Sequence, residues 1–171
     1  MCSAKLPDLF SPDAVTQVAG AVASVAELCF FADVQPCDGR RFEDLATAAE
    51  SWLVATVQFR EGDCAGVLSC SVPRDLARNL LDAFTGRDPL DPDPDHEALF
   101  DLVGELSNMI CGTWLTRMAT AQTFTLSRPV VALAPERPVT PEAATLMAVN
   151  DLPLAVSVAS VIEDPAAAAG F

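Results

Sequence analysis

Residues 95–119 read DHEALFDLVGELSNMICGTWLTRMA, and this stretch decides what kind of protein the chain can be. Asp95 is a good helix cap, and no proline interrupts the run behind it. Turned at ~100° per residue, the segment places Leu99, Leu102, Val103, Leu106, Met109 and Ile110 on one broad side, which reads as core. Asp101, Glu105, Asn108 and Gly112, spaced 4, 3 and 4 apart, share the opposite side. A solvated helix face often carries such residues, and for Glu105 and Asn108 alone that bland reading would suffice. Asn is a poor choice for an exposed helix middle, however, and Gly112 costs ~1 kcal/mol relative to alanine in the same stripe. The ridge gives up helix stability, which points to a surface built for docking.

Working outward, Ser11-Pro12-Asp13 starts a helix over 13–32 with an apolar stripe of Val15, Val18, Val22 and Val25. Pro36 to Asp44 reads as charged turn. Ser51–Phe59 and Ala65–Val72 flank Glu61-Gly62-Asp63 as a β-hairpin. Pro73 opens a helix with Leu76, Leu80, Leu81 and Phe84 facing inward and Gly86 at its stop. After the central helix come a strand over Thr123–Leu133 and a proline-rich connection, Ala134–Pro141. The last hairpin joins Ala144–Val149 to Leu154–Ile162 around Asn150-Asp151-Leu152-Pro153. Helices between strands, with hairpins at both ends, predict an α+β fold in which helices pack on a mainly antiparallel sheet. The chain is expected to form a single domain over 1–171, with flexible ends at 1–12 and 164–171.

Composition narrows the function. With 171 residues and 51% hydrophobic content, the chain can bury a real core and is not of the disordered class. Its 24 acidic and 10 basic residues give a net charge of −14, a field that repels phosphate backbones and anionic lipid. No nucleic-acid partner is expected. The single histidine, His96, excludes multi-histidine metal sites and leaves Ser-His-Asp chemistry one route at most. The six cysteines, Cys2, Cys29, Cys37, Cys64, Cys70 and Cys111, lack a C-x-x-C pair and read as reduced thiols of a cytoplasmic protein. Ala14–Ala26 is apolar, but Gln17 and Glu27 make it read as too short and too polar for a membrane span, and the residues before it form a poor leader.

Other signals weaken on inspection. Asp91-Pro-Asp-Pro-Asp95 begins like a calcium loop, but His96 and Leu102 stand where glycine and glutamate are required. His96 reads as a surface residue, Trp52 and Trp114 as core, and Cys2 as unmodified.

The ridge remains. A carboxamide offers a donor and an acceptor at fixed separation, which suits it to orienting an attacking water. Phosphoryl transfer is mostly positioning and charge stabilisation, so Asn108 is the candidate catalytic group. A carboxylate near a phosphoryl group must pair with a cation beside it, which gives Glu105 an anchoring role.

Asp101-x-x-x-Glu105-x-x-Asn108, continuing Met109-Ile110-Cys111-Gly112, with Pro129 about twenty residues on, resembles the signature of the CheC/CheX/FliY chemotaxis phosphatases. The order of elements resembles a CheX-type chain over nearly its full length. CheC-type chains resemble duplications with two such motifs, and here the first helix has Glu27 followed three residues later by Phe30, the single-site, CheX-like condition. Cys111 departs from the pattern, where a smaller residue is expected. The resemblance implies a phosphatase for the aspartyl phosphate of a CheY-like response regulator. In it Asn108 places the water, Glu105 pairs with a regulator lysine, and Asp101 and Gly112 shape the contact. It implies no cofactor bound by this chain, Mg²⁺ being supplied by the regulator, and a homodimer joined through its sheets. The alternatives are a non-catalytic adaptor that binds a response regulator, and a sheet-mediated dimerisation module.

Overall fold

A computed structural model describes residues 9–88, 90–118, 123–141 and 143–161. The chain runs α1 (Pro12–Phe30), β1 (Val34–Pro36), α2 (Gly39–Ala46), β2 (Trp52–Glu61), β3 (Cys64–Pro73), α3 (Arg74–Thr85) and α4 (His96–Met118). The remaining strands are β4 (Thr125–Leu126), β5 (Val130–Ala134), β6 (Thr145–Val149) and β7 (Leu152–Ser160). Every strand pairing is antiparallel, in the order β1-β6-β7-β3-β2, with β4 and β5 sharing the outer edge of β2. The expected α+β architecture of helices on an antiparallel sheet is the one observed.

Pleating sends Leu53, Ala55, Val57 and Phe59 of β2 to one side, where Leu68, Cys70 and Val72 of β3 join them. This face is covered by α1, α3 and α4 to form the main core. Trp114 of α4 is fully buried, and its indole N–H donates to the Ala14 carbonyl of α1 at 2.9 Å. That bond holds the end of α4 to the start of α1.

Several boundaries differ from expectation. Pro36–Asp44 is not all turn: Asp38 accepts from the Arg41 N–H at 2.8 Å and starts α2. This helix covers the opposite sheet face, with Phe42 and Ala46 on Trp52 and Ala155. The strand expected over Thr123–Leu133 is broken into β4 and β5, because Pro129 has no N–H for the ladder. The final turn is shorter than expected. Asn150 and Asp151 alone make it, at φ 49° and 59°, and Pro153 lies within β7 opposite Ala148.

Phe84, placed inward by its spacing, is 62% exposed. By length and composition α1 is apolar enough to cross a membrane, contrary to the sequence reading; its Val18, Val22 and Val25 are buried in the core. Of the flexible ends expected over 1–12 and 164–171, residues 1–8 and 162–171 lie outside the described residues. Leu9 is buried and Phe10 stacks on Phe59 at 6.4 Å, so the packed chain starts earlier than expected.

Candidate functional site

The site is built on α4. Asp95 caps the helix, its carboxylate accepting the Ala98 N–H at 2.8 Å. Behind the cap the helix is enclosed on most of its circumference by the sheet, α1 and α3. Between residues 98 and 115 only Asp101 and Glu105 are exposed. Leu99, Leu102, Val103, Leu106 and Ile110 are buried as their periodicity requires, while Met109 is only partly covered.

Asn108 is half-buried, one turn beyond Glu105 on the same side. Among the described residues, no side-chain hydrogen bond or ion pair engages Asp101, Glu105 or Asn108. An amide that lowers helix propensity without satisfying a neighbour keeps both its donor and its acceptor for another molecule. Glu97, Asp101 and Glu105 follow one another at i, i+4 spacing and all are exposed. Like charges at that spacing destabilise an isolated helix by a few tenths of a kcal/mol per pair, roughly. The ledge is therefore a cost to this chain that a cation from outside would relieve.

Gly104, which the sequence reading passed over, closes the site on its other side. A Cβ there would stand 3.4 Å from both Pro129 Cβ and Val131 Cγ2. The break between β4 and β5 therefore lies in van der Waals reach of the helix one turn before Asn108. Two signals for this were present in the sequence: a second glycine eight residues before Gly112, and Pro129 interrupting a strand. Gly112 continues the same row, and a Cβ there would meet only Leu126 Cδ1, at 3.9 Å. It borders a recess of about 220 Å³ shared with Phe124 and Leu126.

The remaining candidates lie elsewhere. His96 is exposed with its ring 6.3 Å from Phe100. In the Asp91–Asp95 loop, Asp93 pairs with Arg78 and Asp95 is occupied as the cap. Trp52 and Trp114 are core residues. Cys70 and Cys111 are buried, and burial pushes both thiols up to about 12, so neither is a nucleophile near neutral pH. Among the described residues no group of three or more His, Cys, Asp and Glu side chains is placed to hold a metal ion.

The sequence profile described as chemotaxis phosphatase CheX matches residues 53–149. No curated relative matches the chain. Among solved structures, chemotaxis protein CheX from Vibrio vulnificus superposes at a TM-score of 0.66 with 15% identity, over 87% of this chain and 97% of that one. The CheX-CheY-BeF3-Mg+2 complex from Borrelia burgdorferi is similar at a TM-score of 0.59 and 14% identity, over 89% of this chain and all (100%) of that one. FliY from Thermotoga maritima follows at 0.56 and 17%, over 94% and 92%. At these identities the likeness to each solved structure is one of fold.

Proposed function

We propose, from the premise that this chain belongs to the CheX chemotaxis phosphatase family, that it hydrolyses the aspartyl phosphate of a CheY-like response regulator. The observation that carries this reading is the pair on α4: Glu105 exposed, Asn108 half-buried one turn away, and neither engaged within the described chain.

Docked over the regulator, α4 lays its polar ridge into the phosphorylation site. The Asn108 carboxamide accepts a hydrogen bond from a water and holds its oxygen in line with the phosphorus. The water oxygen bonds to phosphorus while the bond from phosphorus to the aspartyl oxygen breaks. The electron pair leaves with the regulator's carboxylate, and the water's protons are shared between phosphate and solvent. Inorganic phosphate and free regulator are the products. Mg²⁺ held by the regulator would supply charge neutralisation at the phosphoryl oxygens, while this chain's Asn108 and Glu105 contribute position.

Glu105 pairs with a regulator lysine beside the phosphate, which offsets the repulsion a lone carboxylate would meet there. Asp101 extends the same contact, and Gly112 lets the two surfaces approach. The protein acts in the cytoplasm as a homodimer joined through its sheets. In support, among the described residues β5 pairs with β2 alone and leaves Val130 and Leu133 66% and 43% exposed, an edge that a second copy would cover.

The test is a phosphotransfer assay against the host's response regulators. The expected result is a shortened phosphate lifetime for at least one of them when this protein is added at substoichiometric amounts. Undiminished lifetimes across all regulators would reject the reading.

A further inference from the structure

Beside the carboxylate ledge lies an open groove of about 680 Å³, formed where the C-terminal ends of α1 and α3 meet the first half of α4. Phe30, Leu81, Leu102 and Met109 give it an apolar lining. Phe84 stands on the rim, 62% exposed, with its ring 5.6 Å from Phe30. With the apolar lining beneath it, this ring extends a contiguous apolar surface.

The charges around the groove have one sign. Asp101 and Glu105 border it and no Lys or Arg does. The nearest cations on α3 and its following loop are occupied: Arg78 pairs with Asp82 and Asp93, and Arg87 pairs with Asp82. The groove therefore matches an occupant with a large apolar side chain next to a lysine or arginine. Glu105 belongs both to the groove and to the ridge carrying Asn108. A partner that brings a cation to Glu105 must consequently lie across the groove's mouth.

We infer that this groove seats an apolar side chain of the same response regulator, one neighbouring the lysine that meets Asp101 or Glu105. The inference rests on the phosphatase reading and adds a specificity-determining pocket to it. Regulators that lack an apolar residue beside that lysine are discriminated against even when their phosphorylation sites are alike.

Binding of the full-length protein to regulator loaded with beryllium trifluoride and Mg²⁺, compared with phosphate release, tests this. Phe84→Ser is expected to weaken binding about tenfold, with the hydrolysis rate recovering as the protein is raised to saturation. Thr85→Trp, which fills the groove from an exposed position, should act the same way and guards against a folding artefact in either variant. Wild-type affinity in both variants, with hydrolysis intact, would overturn the groove and leave the phosphatase reading standing. Weakened binding in both, with a wild-type protein that hydrolyses nothing, would keep the groove and overturn the phosphatase. Self-association abolished by Phe84→Ser, with regulator binding untouched, would assign the groove to a second copy and overturn the proposal.

Discussion

Helices α1 and α4 lie on the same sheet face, each capped by a side chain at its start, Ser11 and Asp95. Each carries an exposed glutamate, Glu27 in the last turn of α1 and Glu105 in the middle of α4. They part company three residues later. Phe30 is 2% exposed and belongs to the core, whereas Asn108 is half-buried and unengaged. Of the two glutamates, Glu105 is followed one turn on by an amide with no partner in the described chain, and Glu27 by a core phenylalanine.

The largest effect that could break this contrast is on turnover. Asn108→Ala should lower phosphate release from the phosphorylated regulator by about 10²-fold or more, while unfolding free energy changes by no more than about 0.5 kcal/mol. Retained turnover would place α4 on the same footing as α1. Phe30→Asn gives α1 the same Glu-x-x-Asn spelling. It should create no second site and should cost about 3 kcal/mol or more in a urea titration, because a buried aromatic is lost from a close-packed core. A well-folded variant with doubled activity would show that the helices are interchangeable.

Smaller effects sharpen the contrast. Glu105→Lys should weaken regulator binding about tenfold, seen by calorimetry, and leave any self-association unchanged, whereas Glu27→Lys should leave affinity where it was. Smallest is a pair of glycine changes followed by thermal unfolding. Gly112→Ala should gain up to about 1 kcal/mol, since its Cβ meets nothing closer than Leu126. Gly20→Ala on α1 should gain less, because its Cβ would stand 2.6 Å from Arg117 Nη1 and displace a guanidinium that bonds Ser24.

What was legible in the sequence was local. The bounds of α4, the Asp95 cap, the β2–β3 hairpin and the Gly86 stop follow from signals a few residues apart, and the structure repeats them. The ridge was legible as a spacing, and the exposure of Asp101 and Glu105 agrees with it. What failed depended on a distant partner. Phe84 shares the period of Leu76 and Leu80, yet at the end of α3 it meets Phe30 and stays 62% exposed. Helix α2 is short, starts at Gly39 and buries only Phe42 and Ala46, too little to announce itself without Trp52 beneath it. Gly104 gained meaning only once Pro129 was seen against it.

The enclosure of α4 on nearly all sides has a bearing on how the protein fails. No hinge or loop holds Asn108 in place; the central element of the core does, so its backbone amides should be among the last to exchange with deuterium. Heat should then silence the protein at the temperature where the whole domain melts, and not at any lower one.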